Sequence, residues 1–226
     1  MAIWYLCPSA RPAEEARKCL EAWLEFGCQV MVLRQGEKLG MHFVAEYPVS
    51  FYAGWAVSNN HLCRTAEQFD PAASWFIFGG DDYWPDPVWD AETVRFTLES
   101  HFRGTLGVMQ PTGDRYGHGY IDTAAASPWI GREFADRAYE GNGPFRQEYH
   151  HFYADTELQD VAKLLECFWQ RPDIKQEHKH WSRYGIPKPD FAGELYESYW
   201  ERDEALYHAR KATGFTGHRL LSKGSL

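Results

Sequence analysis

The chain has 226 residues and a formal net charge of −9, from 23 Lys and Arg against 32 Asp and Glu. That length suits one substantial domain with room for an extension. That charge excludes a broad non-specific grip on nucleic acid, which needs a basic surface, although it leaves room for a local basic groove. Ten Trp, thirteen Tyr and fourteen Phe supply both core volume and ring faces able to stack on sugars and bases. The five cysteines (Cys7, Cys19, Cys28, Cys63 and Cys167) form no CxxC pair and read as reduced, mostly buried thiols of a cytosolic protein. "MAIWYLCPSARP" lacks a basic leader and a long apolar core, and no stretch approaches the roughly 20 apolar residues of a membrane span. The expectation is a cytoplasmic protein with no membrane span.

In chain order, "IWYLCPS" (Ile3–Ser9) predicts a buried strand. "AEEARKCLEAWLEFG" predicts a helix: Ala16, Cys19, Leu20, Trp23 and Phe26 recur at helical spacing, the first turn is acidic, and Gly27 stands at the stop position. Cys28–Glu37 reads as a second strand, apolar on both faces, so the unit is βαβ and implies a parallel sheet. A helix follows "YPVSFYAG" from Trp55 to Phe69, with Trp55, Asn59, Leu62, Ala66 and Phe69 on one face. Asn59 is a polar residue on that apolar stripe, either a hydrogen-bonded core side chain or one held near a ligand. "SWFIFGG" is the third strand, "DPVWDAETVRFTLESHF" a helix, and Gly104–Gln110 the fourth strand. From Pro111 to Phe152 the pattern dissolves into Gly, aromatics and His, as a functional loop region or short strands. "TELQDVAKLLECFW" predicts a helix burying Leu158, Val161, Ala162, Leu165, Phe168 and Trp169, with Thr156 and Gln159 as a capping box. The His-rich "IKQEHKHWSRYG", the joint "IPKPD", a charged aromatic helix from about Gly193 to Lys211 and a loosely ordered tail to Leu226 complete the chain.

Three constellations carry chemistry. "GGDD" closes the third strand, at the carboxyl edge of a parallel sheet where loops converge on ligands. Two glycines let the backbone turn and let a ligand come close. Asp81 and Asp82 then offer hard oxygen atoms suited to Mg2+ or Mn2+ shared with a phosphate; the plainer alternative is a pair of turn residues. In "EHKHW", His178 and His180 are two apart, so on an extended chain both point to one side and either can complete a metal shell with Asp82; the alternative is exposed loop histidines. Asp155 precedes the long helix, whose N-terminus keeps a carboxylate ionised, fit either for a general base or for a simple helix-terminal charge. His150 and His151 are weaker candidates, because neighbouring side chains on a strand face apart.

Together these segments resemble GT-A-fold glycosyltransferases of the family-2-like type, in particular the small ones of bacteriophages and bacteria. The resemblance runs over about residues 1–190 through "YLCPSARP", "GWAVSNNH", "GGDDYWPDP", "YADTELQDVA" and "EHKHW". It implies an α/β fold with a mostly parallel central sheet flanked by helices in residues 1–190, and a helical extension with a tail in 191–226. It implies a nucleotide-diphosphate sugar as donor, a UDP-sugar first, a Mn2+ or Mg2+ cofactor, and a hydroxyl acceptor on a glycan or a modified DNA base. Residue by residue, Asp82 corresponds to the cation-binding aspartate, Asp81 to its neighbour facing ribose or metal, and His178 or His180 to the late metal histidine. Asp155 corresponds to the general base of inverting members. Pro8 and Ser9 lie where the first loop meets the nucleotide, and Asn59 or Asn60 near the donor. The motif reads Gly-Asp-Asp rather than Asp-x-Asp, and "YADTEL" lacks the family's Glu-Asp pair.

Two other functions compete. A nucleotidyltransferase ordinarily shows a glycine-rich basic loop after the first strand, whereas "CPSARPAEEARK" has Arg11, Arg17 and Lys18 and no glycine. A non-catalytic nucleotide-sugar-binding protein would keep the fold and turn nothing over.

Overall fold

The structure is a computed structural model that describes residues 2–111, 124–181 and 190–221, with side chains from 197 onward in the last segment. It is an α/β fold with a mostly parallel central sheet flanked by helices, as the sequence predicts. Among the described residues the sheet has seven strands in the order β3-β2-β1-β4-β7-β6-β8. They are β1 (Ala2–Ser9), β2 (Gln29–Gln35), β3 (Val44–Val49), β4 (Ala73–Phe78), β6 (Val108–Pro111), β7 (Trp129–Gly131) and β8 (Phe168–Arg171). Strand β7 runs against its two neighbours and every other pairing is parallel.

Both faces are covered because the strands are apolar on both faces. In β1, Trp4 and Leu6 face one layer and Ile3, Tyr5 and Cys7 the other; in β4, Phe76 and Phe78 alternate with Trp75 and Ile77. That period of two feeds two cores. Helices α1 (Ala13–Glu25) and α3 (Ala91–Phe102) cover one face. Helices α2 (Trp55–Phe69), α4 (Arg132–Ala138), α5 (Ala154–Leu164) and α6 (Asp190–Ala212) cover the other. Gly27 ends α1 at φ +101°, the backbone conformation that made glycine the stop signal. Among the described residues no helix is long and apolar enough to cross a membrane.

Several local expectations are corrected. Strand β3 was not foreseen; it pairs only with β2, at the sheet edge, where Pro48 is tolerated. Phe69 closes α2 but stays 67% exposed, edge-on to Trp4. The predicted capping box of α5 does not form: the N-cap is Tyr153, in the left-handed region at φ +64°, with no side-chain cap bond. Tertiary contacts hold it instead, since its hydroxyl donates to Glu204 at 2.7 Å and its ring stacks on Tyr207. Helix α5 also stops at Leu164. Glu166 turns the chain at φ +55°, and Phe168 and Trp169 become strand β8 beside β6. Two adjacent aromatics fit either period, and the free edge of β6 decided for a strand. Helix α3 starts at Ala91, capped by Asp90, which accepts from Thr93 N at 2.9 Å. The region from Pro111 to Phe152 contains β7 and α4; its residues 112–123 lie outside the described residues. So do 182–189, with most of "HWSRYGIPKP", and 222–226 of the tail. Before that the tail is packed, with Phe215, His218 and Leu220 buried.

Candidate functional site

All the parallel strands present their carboxyl ends at one edge, and the loops there build the site. Ser9 ends β1, paired in register with Arg34 of β2. β4 ends at Phe78, and Gly79 and Gly80 carry the chain over Tyr5. The Tyr5 hydroxyl donates to Gly80 O at 2.5 Å, and a side chain at Gly79 would collide with that ring. Tyr83 O accepts from Trp23 Nε1 at 2.8 Å and from Cys19 Sγ at 2.9 Å. The carbonyls flanking Asp81 and Asp82 are thus pinned from beneath by core side chains, which gives the carboxylates a rigid base.

Asp81 is 8% exposed, and its Oδ2 accepts from Ser9 Oγ at 2.7 Å, Ala10 N at 3.1 Å and Arg11 N at 3.0 Å. It therefore ties the β4 loop to the loop after β1. Ser9 Oγ in turn accepts from Arg34 Nη1 at 2.8 Å. Buried Arg34 also donates to Arg11 O at 2.7 Å and Glu37 O at 2.8 Å, so the first loop is fixed from both sides.

Asp82 Oδ2 meets two groups: Arg11 Nη2 at 2.6 Å and His178 Nε2 at 3.3 Å. The histidine arrives on a two-stranded ribbon of β5 (Tyr83–Trp84) and β9 (Glu177–His178), which pairs Tyr83 with His178. Their rings stack at 3.9 Å, and Lys179 N donates to Asp82 O at 2.8 Å. The His180 ring lies 5.1 Å from that of His178 and 4.9 Å from that of Trp181. Asp82, His178 and His180 are thus neighbours, although 95 residues of chain separate the first two when counted along the sequence.

The two carboxylates titrate in opposite senses. Burial and the neighbouring Asp82 charge push Asp81 above the ordinary carboxylate value, against the pull of the Ser9 and Arg11 donors. Burial pushes Asp82 up as well, but His178 and Arg11 outweigh it and hold Asp82 below that value. Arg11, also disfavoured by burial, is raised by the charges of Asp82 and Asp81.

Among the described residues no three His, Cys, Asp or Glu side chains close a metal cage. The donor set nevertheless fits Mg2+ or Mn2+, which bind through one or two protein ligands and complete their shell with substrate phosphates and water. Asp82 Oδ2 and His178 Nε2 converge as such a pair.

The remaining sequence candidates are placed as follows. Pro8 sits within β1, paired with Leu33. Asn60 bridges to the backbone of Phe145, donating to its O at 2.7 Å and accepting from its N at 3.0 Å. Asn59 Nδ2 donates to Trp55 O at 3.0 Å within α2, and its fully buried Oδ1 meets no donor among the described residues. Asp155 occupies the first turn of α5, where its Oδ1 accepts from Thr156 N at 2.8 Å. Trp84 lies under Lys179, whose Nζ is 3.8 Å from the ring centroid, and Tyr83 is packed against His178.

Sequence reasoning missed Arg11 and Arg34 as site residues. The available signal was position: Arg11 stands two residues beyond a strand that ends at the ligand edge, so its side chain is within reach of the carboxylates there.

No family model and no curated protein matches the chain. Solved structures do resemble it in fold. A glycosyltransferase involved in glycosylation of the major capsid of PBCV-1 matches over 59% of this chain at 12% identity, with a TM-score of 0.36; the chain spans 61% of that protein. The catalytic domain of Drosophila β1,4-galactosyltransferase 7 bound to xylobiose matches over 88% of this chain and 80% of its own, at 15% identity and a TM-score of 0.48. A putative glucose-1-phosphate thymidylyltransferase from Bacillus anthracis matches over 91% and 95%, at 8% identity and a TM-score of 0.45. At these identities and scores none of them assigns a reaction or a residue to this chain.

Proposed function

We propose that the chain is a divalent-cation-dependent glycosyltransferase of GT-A type. It moves a sugar from a nucleotide-diphosphate donor, a UDP-sugar first, to a hydroxyl on a glycan or a modified nucleic-acid base. The observation that carries this reading is the Asp81–Asp82 pair at the carboxyl edge of the sheet, with Asp82 Oδ2 and His178 Nε2 3.3 Å apart. Support for the transferase reading also comes from the loop after β1, which is held by Asp81 and Arg34 but carries no glycine-rich phosphate cradle.

In this reading Asp82 and His178, with His180 beside them, hold Mn2+ or Mg2+. Bound there, the cation neutralises charge that develops on the departing diphosphate, a gain larger in the transition state than in the ground state. Asp81 does not need to touch the ion: it shapes the first loop, with Pro8 and Ser9, against which the nucleotide lies. Asn59 and Asn60 stiffen the α2 side of the donor site. Asp155 accepts the acceptor's proton as general base. Residues 1–190 form the transferase unit and 191–226 its helical extension. A cytoplasmic setting is supported by five free, buried cysteines.

The test is a donor panel with and without Mn2+, followed by thermal shift and by product analysis. A metal-dependent shift with one UDP-sugar and slow release of UDP support the transferase. Release of pyrophosphate from a nucleoside triphosphate and a sugar 1-phosphate marks a nucleotidyltransferase, and binding with no turnover marks a binding protein.

A further inference from the structure

Arg11 and Arg34 stand on the same loop network and are held in opposite ways. Arg34 is 2% exposed and donates three directional bonds to neutral oxygens of Ser9, Arg11 and Glu37. It is locked. The polar contacts of the Arg11 side chain, among the described residues, are carboxylates only: Asp82 at 2.6 Å, Asp81 at 3.4 Å and, more distantly, Glu15 at 3.9 Å. Its main chain is anchored independently, since Arg11 N donates to Asp81 and Arg11 O accepts from Arg34. The backbone is therefore fixed independently of the side chain, which is held by one charge-assisted hydrogen bond to Asp82 and by longer ion pairs to Asp81 and Glu15.

The oxygen it occupies is the one that matters. Asp82 Oδ2 is shared by Arg11 and His178. The other oxygen, Oδ1, lies against Gly80, where even a β-carbon would approach it to 2.8 Å. A cation ligated by both Asp82 and His178 must then sit on the Oδ2 side, in the space of the guanidinium. Two positive groups on one oxygen repel, and the divalent ion, at about 2.0–2.2 Å from its oxygens, competes at closer range.

We propose that Arg11 is a displaceable counter-cation: it neutralises Asp82 before the divalent ion arrives and is released from the carboxylates when the ion binds. Arg11 is thus a positioning residue for the cation site. Its release leaves a guanidinium on an anchored backbone at the mouth of the site, next to Glu15 of α1 and available to an anionic group such as a phosphate oxygen. The inference rests on the cation reading given under Proposed function.

The experiment titrates Mn2+ into the whole protein by calorimetry, with electron paramagnetic resonance counting free Mn2+, for the wild type and for R11Q, R11K and K18Q. Lys18 is an exposed cation paired with Glu14, so K18Q controls for loss of one positive charge nearby. R11Q is expected to bind Mn2+ about tenfold or more tightly than wild type, because no charge-assisted contact has to be given up. K18Q should match wild type. A Mg2+ titration of the wild type followed on the arginine Nε–Hε resonances should move the Arg11 signal towards that of a solvated arginine; this arm decides if R11Q fails to fold, with R11K as the second variant. Wild-type Mn2+ binding with R11Q equal or weaker, and an unmoved Arg11 resonance, overturns the displacement while leaving the cation site standing. Absence of Mn2+ binding in wild type, R11Q and R11K alike, with UDP present, overturns the cation site itself and the displacement with it.

Discussion

Arg210 meets Glu157 edge to edge, Nε to Oε2 at 2.7 Å and Nη2 to Oε1 at 2.6 Å, across 53 residues of chain. The carboxylate is 1% exposed and also accepts from the hydroxyls of Tyr139 and Tyr149. A second buried carboxylate, Asp203, accepts from the backbone N of His150, His151 and Phe152. Helix α6 is therefore clamped to α5 and to the loop before it by two charges that cannot reach water. Removing one partner of such a pair leaves the other charge buried and uncompensated. R210M should cost about 3–5 kcal/mol and lower the melting temperature by roughly 6–20 °C. Urea unfolding measures it; a loss below about 1 kcal/mol would show that Glu157 finds adequate partners in the two tyrosines.

The cation reading makes Asp82 indispensable to binding but not to folding. D82A should abolish Mn2+-dependent UDP binding in calorimetry while circular dichroism stays that of the wild type. Unchanged UDP/Mn2+ affinity in a folded D82A protein removes Asp82 from the site.

Asp155 separates chemistry from capping. If it takes a proton from the acceptor, D155N keeps donor affinity and loses roughly 10²–10⁴-fold in turnover. If it serves only the N-terminus of α5, the same change costs at most about 1 kcal/mol of stability and little activity. Turnover set against melting temperature in one variant distinguishes the two, and near-normal turnover would exclude it as the base.

Burial pushes the imidazoles of His218 and His151 down to about 4. Between about pH 6.5 and 4 each is protonated in the unfolded chain and neutral in the folded one, so the unfolded state binds more protons and stability falls as pH falls through that window. His218, 3% exposed and 4.7 Å from the Tyr139 ring, is the cleaner probe. H218F keeps a ring there and removes the titration. It should flatten the acid limb by at most about 2 kcal/mol relative to wild type, read from urea midpoints at pH 5 and pH 7. Parallel pH profiles for the two proteins would show that His218 titrates in the folded chain as it does in the unfolded one.

Much of the sheet was legible in the chain because its signals are local. β1, β2 and β4 were readable as short apolar runs, and α1 and α2 from a period of 3.6, α1 also from Gly27, whose positive φ the helix end requires. The pair Asp81–Asp82 stood out because two carboxylates that follow the apolar run Trp75–Phe78 and two glycines have no reason to exist inside a core. What was illegible depended on partners distant in sequence. Val44–Val49 carries Glu46 and Pro48 and becomes a strand only because β2 offers a free edge. Phe168 and Trp169 fit a helix stripe until β6 provides a parallel neighbour.

By itself, then, the sequence determined a doubly covered, mostly parallel sheet with carboxylates at the end of its third readable strand, since apolar period and glycine conformations are properties of short segments. The tertiary structure decided what those carboxylates face. Asp81 is turned to the loop after β1 by Ser9 and two backbone N–H groups, and Asp82 is shared between Arg11 and His178. Charge neutralisation acts through space between groups tens of residues apart, and only the folded backbone brings them within hydrogen-bonding distance.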